Sequence, residues 1–271
     1  MDYSFGIDFS RKNGFFSSDK KAHLDNIKRQ CDKLGVGFVQ AHSPMGSPIV
    51  KNAAHKEFIE ATKMSVEACG ELGIPNIVVH SGYQAGLSKE ETFEKNKEFF
   101  LDILHFAEKY GVNILVENFD IMVFKDVYWV DNASDLRELI DYVDHPLFHA
   151  CWDAGHANLQ EMPQQEGLEL LGNDVYAVHI QDNLGTADHH MFPFCGNMSL
   201  DSLMNGLMKI GYKGYFTFEA TNFFDSAAKR HECEADKRLL LPPLELRCEA
   251  EALLYKLGKH ILTAYNCFEE I

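Results

Sequence analysis

Apolar runs rich in β-branched and aromatic residues alternate along the chain with longer stretches of helical periodicity. That alternation is the pattern of βα units, in which parallel strands lie buried under helices. Seven runs read as strands: 3–9, 38–42, 76–80, 113–118, 148–153, 175–180 and 215–220. Between them the pattern predicts helices over 19–34, 54–72, 88–110, 134–143, 163–171 and 200–210. Gly35, Gly73, Gly111 and Gly211 follow the last helical turns, where a residue without Cβ accepts a left-handed C-cap. Ser88, followed three positions later by Glu91, makes a capping box. After Ala227 the chain reads as largely helical, broken at Pro242-Pro243, with 244–265 packing back on the body.

These elements predict a single α/β domain over residues 1–271, a TIM-type (β/α) barrel with a C-terminal helical extension. Eight strands close such a barrel, and seven are legible. Nothing between Ser10 and Lys20 supplies the eighth, so an incomplete or irregular N-terminal end is expected.

Six of the strand runs end in a side chain able to bind a metal: His42, His80, Glu117, Asp153, His179 and Glu219, at intervals of 38, 37, 36, 26 and 40 residues. The C-terminal ends of parallel barrel strands converge on one mouth, so these residues are expected to share one metal or acid–base site. Each has a plainer reading. Asp153 could simply cap the next helix and leave His156 on the surface. His42 and His80 could each bond a loop carbonyl, and Asp188, His189 and His190 could be solvated loop charge. Glu117 and Glu219 resist such readings, because a carboxylate inside an apolar strand is costly unless paired or coordinated. Asp153 and His156, three apart, suit Zn²⁺, Mn²⁺ or a similar ion. Phe119, Trp129 and Phe192 follow strand ends and are candidates for a sugar-binding wall. His23, His55, His105, His145, His231 and His260 read as surface.

Charge narrows the partners. Lys and Arg number 25 against 41 Asp and Glu, a net −16, and the basic runs are as short as 19–21 and 228–230. Such a surface repels a phosphodiester backbone, which makes nucleic acid a poor partner and leaves a small sugar compatible. No apolar run reaches membrane-spanning length, and the first residues lack the basic-then-apolar order of a signal peptide. Seven cysteines with no CxxC pair predict reduced thiols in a cytoplasmic protein, and Cys151 and Cys195 near the proposed site read as ordinary thiols.

The ordered series His-Ser-Pro (42–44), Val-His-Ser-Gly (79–82), Val-Glu-Asn (116–118), Trp-Asp-Ala-Gly-His (152–156), Val-His-Ile-Gln-Asp-Asn (178–183), Asp-His-His (188–190) and Phe-Glu-Ala (218–220) resembles the xylose-isomerase-like barrel superfamily. That group comprises sugar phosphate isomerases and epimerases and shares its fold with endonuclease IV. The resemblance spans roughly residues 36–220. By analogy with the ketose 3-epimerases, it implies one divalent ion (Zn, Mn or Mg) held by Glu117, Asp153, His179 and Glu219. The two glutamates would serve as acid and base, and His156 would contact substrate oxygens. Where that branch usually carries an Arg six residues after the metal His, this chain has Gly185. By analogy with endonuclease IV, the nine ligands of a three-zinc site match His42, His80, Glu117, Asp153, His156, His179, Asp188, His190 and Glu219.

The expected function is a metal-dependent isomerase or epimerase acting on a sugar or sugar phosphate, with proton transfer at the carbon beside a carbonyl. His42, His80 and His156 would bind substrate or, with Asp188 and His190, further metal. The alternatives are an endonuclease IV-like zinc phosphodiesterase and a catalytically idle sugar-binding barrel. An incomplete rim or the C-terminal helix would favour a homodimer.

Overall fold

The computed structural model describes residues 2–5, 14–119, 129–130, 132–160, 163–220, 224 and 242–270. Six strands lie side by side in chain order: β1 (Asp2–Ser4), β2 (Gln40–His42), β3 (Asn76–Val78), β4 (Asn113–Glu117), β5 (Phe148–Asp153) and β6 (Val175–His179). All five pairings are parallel. Parallel neighbours need a crossover, and helices α1 (Lys20–Leu34), α2 (His55–Leu72), α3 (Lys89–Ala107) and α4 (Ala133–Val143) supply the first four. α5 (Ala154–Leu159) and α6 (Gln164–Leu171) link β5 to β6, and α7 (Leu200–Lys209) follows β6. This is a curled, TIM-type half-barrel, with the C-terminal helix α8 (Leu244–Ala264) present as expected.

The helix ends behave as their residues dictate. Gly35 and Gly73 are left-handed C-caps, and Ser88 with Glu91 forms both bonds of the capping box ahead of α3. Two expectations change. The run 215–220 lies where a seventh strand belongs but is not one: among the described residues its backbone–backbone bonds go to a single residue, with Ile180 N donating to the Thr217 carbonyl (2.8 Å) and Glu219 N donating to the Ile180 carbonyl (3.1 Å). A ladder needs successive partners, and this run has one bridge, Ile180–Phe218. The first strand run is paired over Asp2–Ser4, continued by Phe5 N donating to the His42 carbonyl at 3.0 Å. Its remainder at 6–9, the helical reading of 227–241 and His231 fall outside the described residues. Gly14–Phe16 is a single 3-10 turn, so no described residue between β1 and α1 forms an eighth strand.

Alternation along each strand sorts its side chains into two sets. Ile77, Ile114, Val116, Phe148, Ala150, Trp152 and Val178 join the main core under the helices. The opposite set stacks inside the curl in two layers. The lower holds Gln40, Val78, Leu115, Cys151, Ala177 and Thr217, all buried. Two residues further along each run stand His42, His80, Glu117, Asp153, His179 and Glu219. Thr217 Oγ1 donates to Gln40 Oε1 across the interior (3.1 Å), and the His42 and His179 rings stack at 6.0 Å. The curl therefore brings β2 opposite the end of the sheet. α8 seals that flank: Gly258 lies so close to the Phe218 ring that a Cβ there would stand 2.8 Å from it.

Candidate metal centre

The upper inner layer, helix α5 and the loop after β6 bring together nine residues singled out from the sequence. Their ligand atoms fall into three groups: His42, His80 and Glu117; Glu117, Asp153, His179 and Glu219; and His156, Asp188 and His190. Within each group the atoms lie within 4.8 Å of one another. Glu117 belongs to the first two. Its Oε2 is 3.0 Å from His80 Nε2 and 3.7 Å from His42 Nε2, while its Oε1 is 2.7 Å from His179 Nδ1. His179 Nδ1 is in turn 3.2 Å from Glu219 Oε2. The third group is closed by Asp188 Oδ2, which lies 2.8 Å from His190 Nε2 and 3.7 Å from His156 Nε2. His189, between them, joins none of these groups.

Asp153 does cap the helix that follows it. Its Oδ1 caps α5 by accepting from His156 N (2.6 Å), and its Oδ2 is buried with no protein partner among the described residues. His156 is not a surface residue but only 2% exposed, and its Nε2 is likewise buried and unpartnered. Gly155 lies in the first turn of α5, where it permits a close approach. A Cβ on it would stand 2.1 Å from the Gln181 carboxamide, which donates to Asp188 Oδ1 at 2.7 Å.

Three imidazoles are oriented from outside. The Nδ1–H groups of His42, His156 and His190 donate to the backbone carbonyls of Ser43 (2.8 Å), Asn118 (3.0 Å) and Glu219 (2.8 Å). Each Nε2 then faces inward. A ring held this way at its outer nitrogen is the usual support of a metal-ligating histidine, because the bond fixes tautomer and direction. The orphaned Asp153 Oδ2 and the three inward Nε2 atoms, that of His156 itself orphaned, fit divalent cations with mixed nitrogen and oxygen ligands.

The electrostatics state the same need. Burial pushes the Asp153 carboxyl up to about 7, with Glu117 and Glu219 adding repulsion. Burial also drives His80 down to about 4, although Glu117 pulls the other way. For Glu117 burial acts upward, but the neighbouring His179, His42 and His80 overcome it and hold the carboxyl well below its ordinary range. Burial opposes charge on His190, yet its bond to Asp188 and that carboxylate's field raise it to about 9. His156 is raised in the same way by Asp153 and Asp188, against its burial. In the layer below, burial pushes the Cys151 thiol up to about 12, keeping it neutral beside Glu117 and His179. Cys195 is exposed. Among the described residues no Lys or Arg pairs with any carboxylate of the centre.

The expected aromatic wall is not what these rings form. Phe119 is wedged between the His80 and His156 rings, at 4.5 and 4.6 Å, and buried. Trp129 packs on Phe93 (4.4 Å), and Phe192 is buried against Ala220, Ala250 and Leu254. Of the histidines read as surface, His105 and His260 are exposed, whereas His23 is half-buried against Phe15 (4.6 Å). Asn118 and Gln181 were not singled out from the sequence. Asn118 bridges β4 to β5 by accepting from Asp153 N (2.8 Å) and donating to the Asp153 carbonyl (2.9 Å).

Known proteins share this framework. The model of the xylose isomerase-like TIM barrel family matches residues 4–236. Fructoselysine 3-epimerase of Shigella flexneri is 23% identical over 69% of this chain and 68% of its own length. A probable endonuclease 4 of Thermotoga maritima is 27% identical over 60% of this chain, which spans 62% of that protein. Among solved structures, a D-tagatose 3-epimerase-like protein superposes with a TM-score of 0.65 at 25% identity, over 80% of both chains. With a match to that model running over most of its length, the chain belongs to the xylose isomerase-like TIM barrel family.

Proposed function

We propose that this protein is a divalent-metal-dependent sugar isomerase or epimerase working at the mouth of the half-barrel. The observation that carries the reading is the four-donor group of Glu117, Asp153, His179 and Glu219, in which two carboxylates are sealed and that of Glu219 is open. The Glu117 side chain is 1% exposed and that of Glu219 29% exposed. The similarity to sugar epimerases supports it.

A divalent cation in that group would supply Lewis-acid polarisation of a substrate carbonyl and its neighbouring hydroxyl. The chain's own residues do the rest. Glu219, the accessible carboxylate, takes the proton from the carbon beside the carbonyl, and the electron pair left behind moves onto the carbonyl oxygen. Glu117, on the far side of His179, is ionised at rest, takes up a proton from solvent in the mouth and returns it to the substrate. Return to the opposite face of the same carbon epimerises it, whereas return to the neighbouring carbon isomerises the sugar. His156 and His80, held by Phe119, orient substrate oxygens. Ketohexoses incubated in D₂O test this directly: the protein should wash deuterium into the carbon beside the carbonyl, and Glu219→Gln should not. Exchange that persists undiminished in that variant would remove Glu219 from the chemistry.

A second reading rests on a specific observation, the division of the nine donors into three groups, two of which share Glu117. That division suits three ions and the phosphodiester hydrolysis of endonuclease IV. The net charge of −16 weighs against a DNA substrate. Metal content separates the two readings: three zinc per chain with cleavage of an abasic duplex favours the hydrolase, and sugar C–H exchange without cleavage favours the epimerase.

A further inference from the structure

Asp182 is buried to 1% exposure yet belongs to none of the donor groups, and no cation pairs with it among the described residues. Its carboxylate is instead saturated by backbone. Oδ1 accepts from Asn183 N (2.9 Å) and Met198 N (3.1 Å), and Oδ2 accepts from Gly196 N (2.9 Å). The backbone of the same residue exchanges two 2.9 Å bonds with Met191. Asp182 thus ties both ends of the segment 183–198, with Asn197 N donating to the Asn183 carbonyl (2.8 Å) beside it. Between the ties the chain rises into an arm that carries Asp188 and His190.

The arm needs such an anchor. His190 adopts a φ of 48°, a left-handed conformation uncommon for a residue with a Cβ, so the surrounding bonds must hold it there. Space at the anchor is exhausted too. A Cβ on Gly196 would fall 2.2 Å from the Asn183 carbonyl oxygen and 2.3 Å from Asp182 Oδ1. The geometry of the carboxylate is also specific. An amide at position 182 has one acceptor oxygen, so its NH₂ would face the Gly196 N–H, donor against donor.

We infer that Asp182 is the positioning residue of the centre: it holds the arm at the height where Asp188 and His190 meet His156, and so builds the third donor group without touching it. The inference rests on reading that trio as a metal-binding group. Metal contacts one step removed from the ion typically govern affinity by about 10–100-fold, and this range sets the expected effect.

The test uses Zn²⁺ competition against a chromophoric chelator, with hydrogen exchange at the arm's amides. H190A first identifies the zinc equivalent held by the third group as the one that variant loses. D182N should bind that equivalent about 10–100-fold more weakly, while holding the Glu117–Asp153–His179–Glu219 equivalent within about twofold and losing protection at the Gly196 and Met198 amides. Adding D182N to H190A should cost no further zinc affinity. Should D182N fail to fold, Gly196→Ala strains the same anchor from its other side and should show the same selective loss. Equal weakening at both groups, or additive losses in the double variant, would overturn the positioning role. A wild-type protein that loses no zinc on H190A would overturn the donor-group reading itself, and that outcome is visible before Asp182 is changed.

Discussion

The two ends of β5 and β6 carry similar residues and arrange them oppositely. At the base, where the strands begin, His149 lies 3.1 Å from Asp174 and 3.1 Å from the Pro146 carbonyl, and its ring stacks on Tyr176. Arg137 bonds Asp174 there and Asp141 at 2.6 Å, so a permanent cation holds the Asp174 carboxyl low despite its partial burial. At the mouth, Asp153, Glu117, Asp188 and Glu219 have imidazoles for company and, among the described residues, no Lys or Arg. A buried carboxylate cluster without a fixed cation stores unfavourable charge, and it is tolerable where an external cation completes it. The base supplies its own countercharge; the mouth, among the described residues, has no Lys or Arg to supply one.

The largest expected difference between the ends is catalytic. Glu219→Gln keeps the shape of the mouth and removes its open base, so sugar turnover should fall by about 10²–10⁴-fold with the fold intact. Asp174→Asn at the base should leave turnover within about twofold. If both variants lost activity alike, the contrast would lie in stability rather than in chemistry, a distinction that circular dichroism and turnover measured on the same samples would make.

Metal removal should come next. Chelation strips whatever neutralises the mouth, and a site filled to a thousandfold above its dissociation constant contributes about 4 kcal/mol to stability. Thermal melts with and without a chelator should therefore separate by many degrees and re-converge on adding Zn²⁺ or Mn²⁺. Identical melts would mean that the carboxylates of the mouth bind no ion.

Much of this contrast was legible in the sequence. Strand ends occupied by His42, His80, Glu117, Asp153, His179 and Glu219 announced a shared mouth, because a parallel sheet leaves their side chains nowhere else to converge. What stayed hidden had physical reasons. β3 stops at Val78, so His80 is reached by extended chain beyond the ladder rather than within it. The run 215–220 has the composition of a strand, but among the described residues its one strand-type bridge is to Ile180, and partners are not written in composition. Phe119 looked like a ligand wall because aromatic residues after strands often are, whereas here it separates two histidines. Asn118 and Gln181 act by bonding backbone and neighbouring carboxylates, work that any Asn or Gln in a strand end could do, so their residue type carries no signal.

A smaller effect sharpens the comparison through pH. In the metal-free protein His190 titrates near 9 when folded and at its ordinary 6.5 when unfolded. The ring binds its proton more tightly in the folded state, so its contribution is complete below about 6.5 and lost as pH rises through about 9. Asp153 runs first: raised to about 7, it adds its cost between its ordinary value and 7 and nothing beyond. From pH 7 to 9 the histidines of the mouth are thus left to act, and the chelated protein should melt at progressively lower temperature across that window. H190A should flatten the slope, and zinc should remove it by occupying Nε2. A melting temperature that climbed with pH would contradict the raised imidazole.

The smallest prediction concerns the base alone. Arg137→Ala deletes a cation that is partly exposed, its side chain retaining 21% of its accessibility, so solvent screens the pair with Asp174 and Asp141. Roughly 1 kcal/mol of stability is the appropriate scale for such a loss. His149 should then become the only charge partner of Asp174 among the described residues. Neither zinc content nor sugar turnover should change, because among the described residues Arg137, Asp141 and Asp174 bond none of the mouth's donors. A zinc-dependent shift in this variant's stability would show that the two ends are coupled through β5, and would replace the picture of a self-neutralised base and a cation-requiring mouth with one connected charge network.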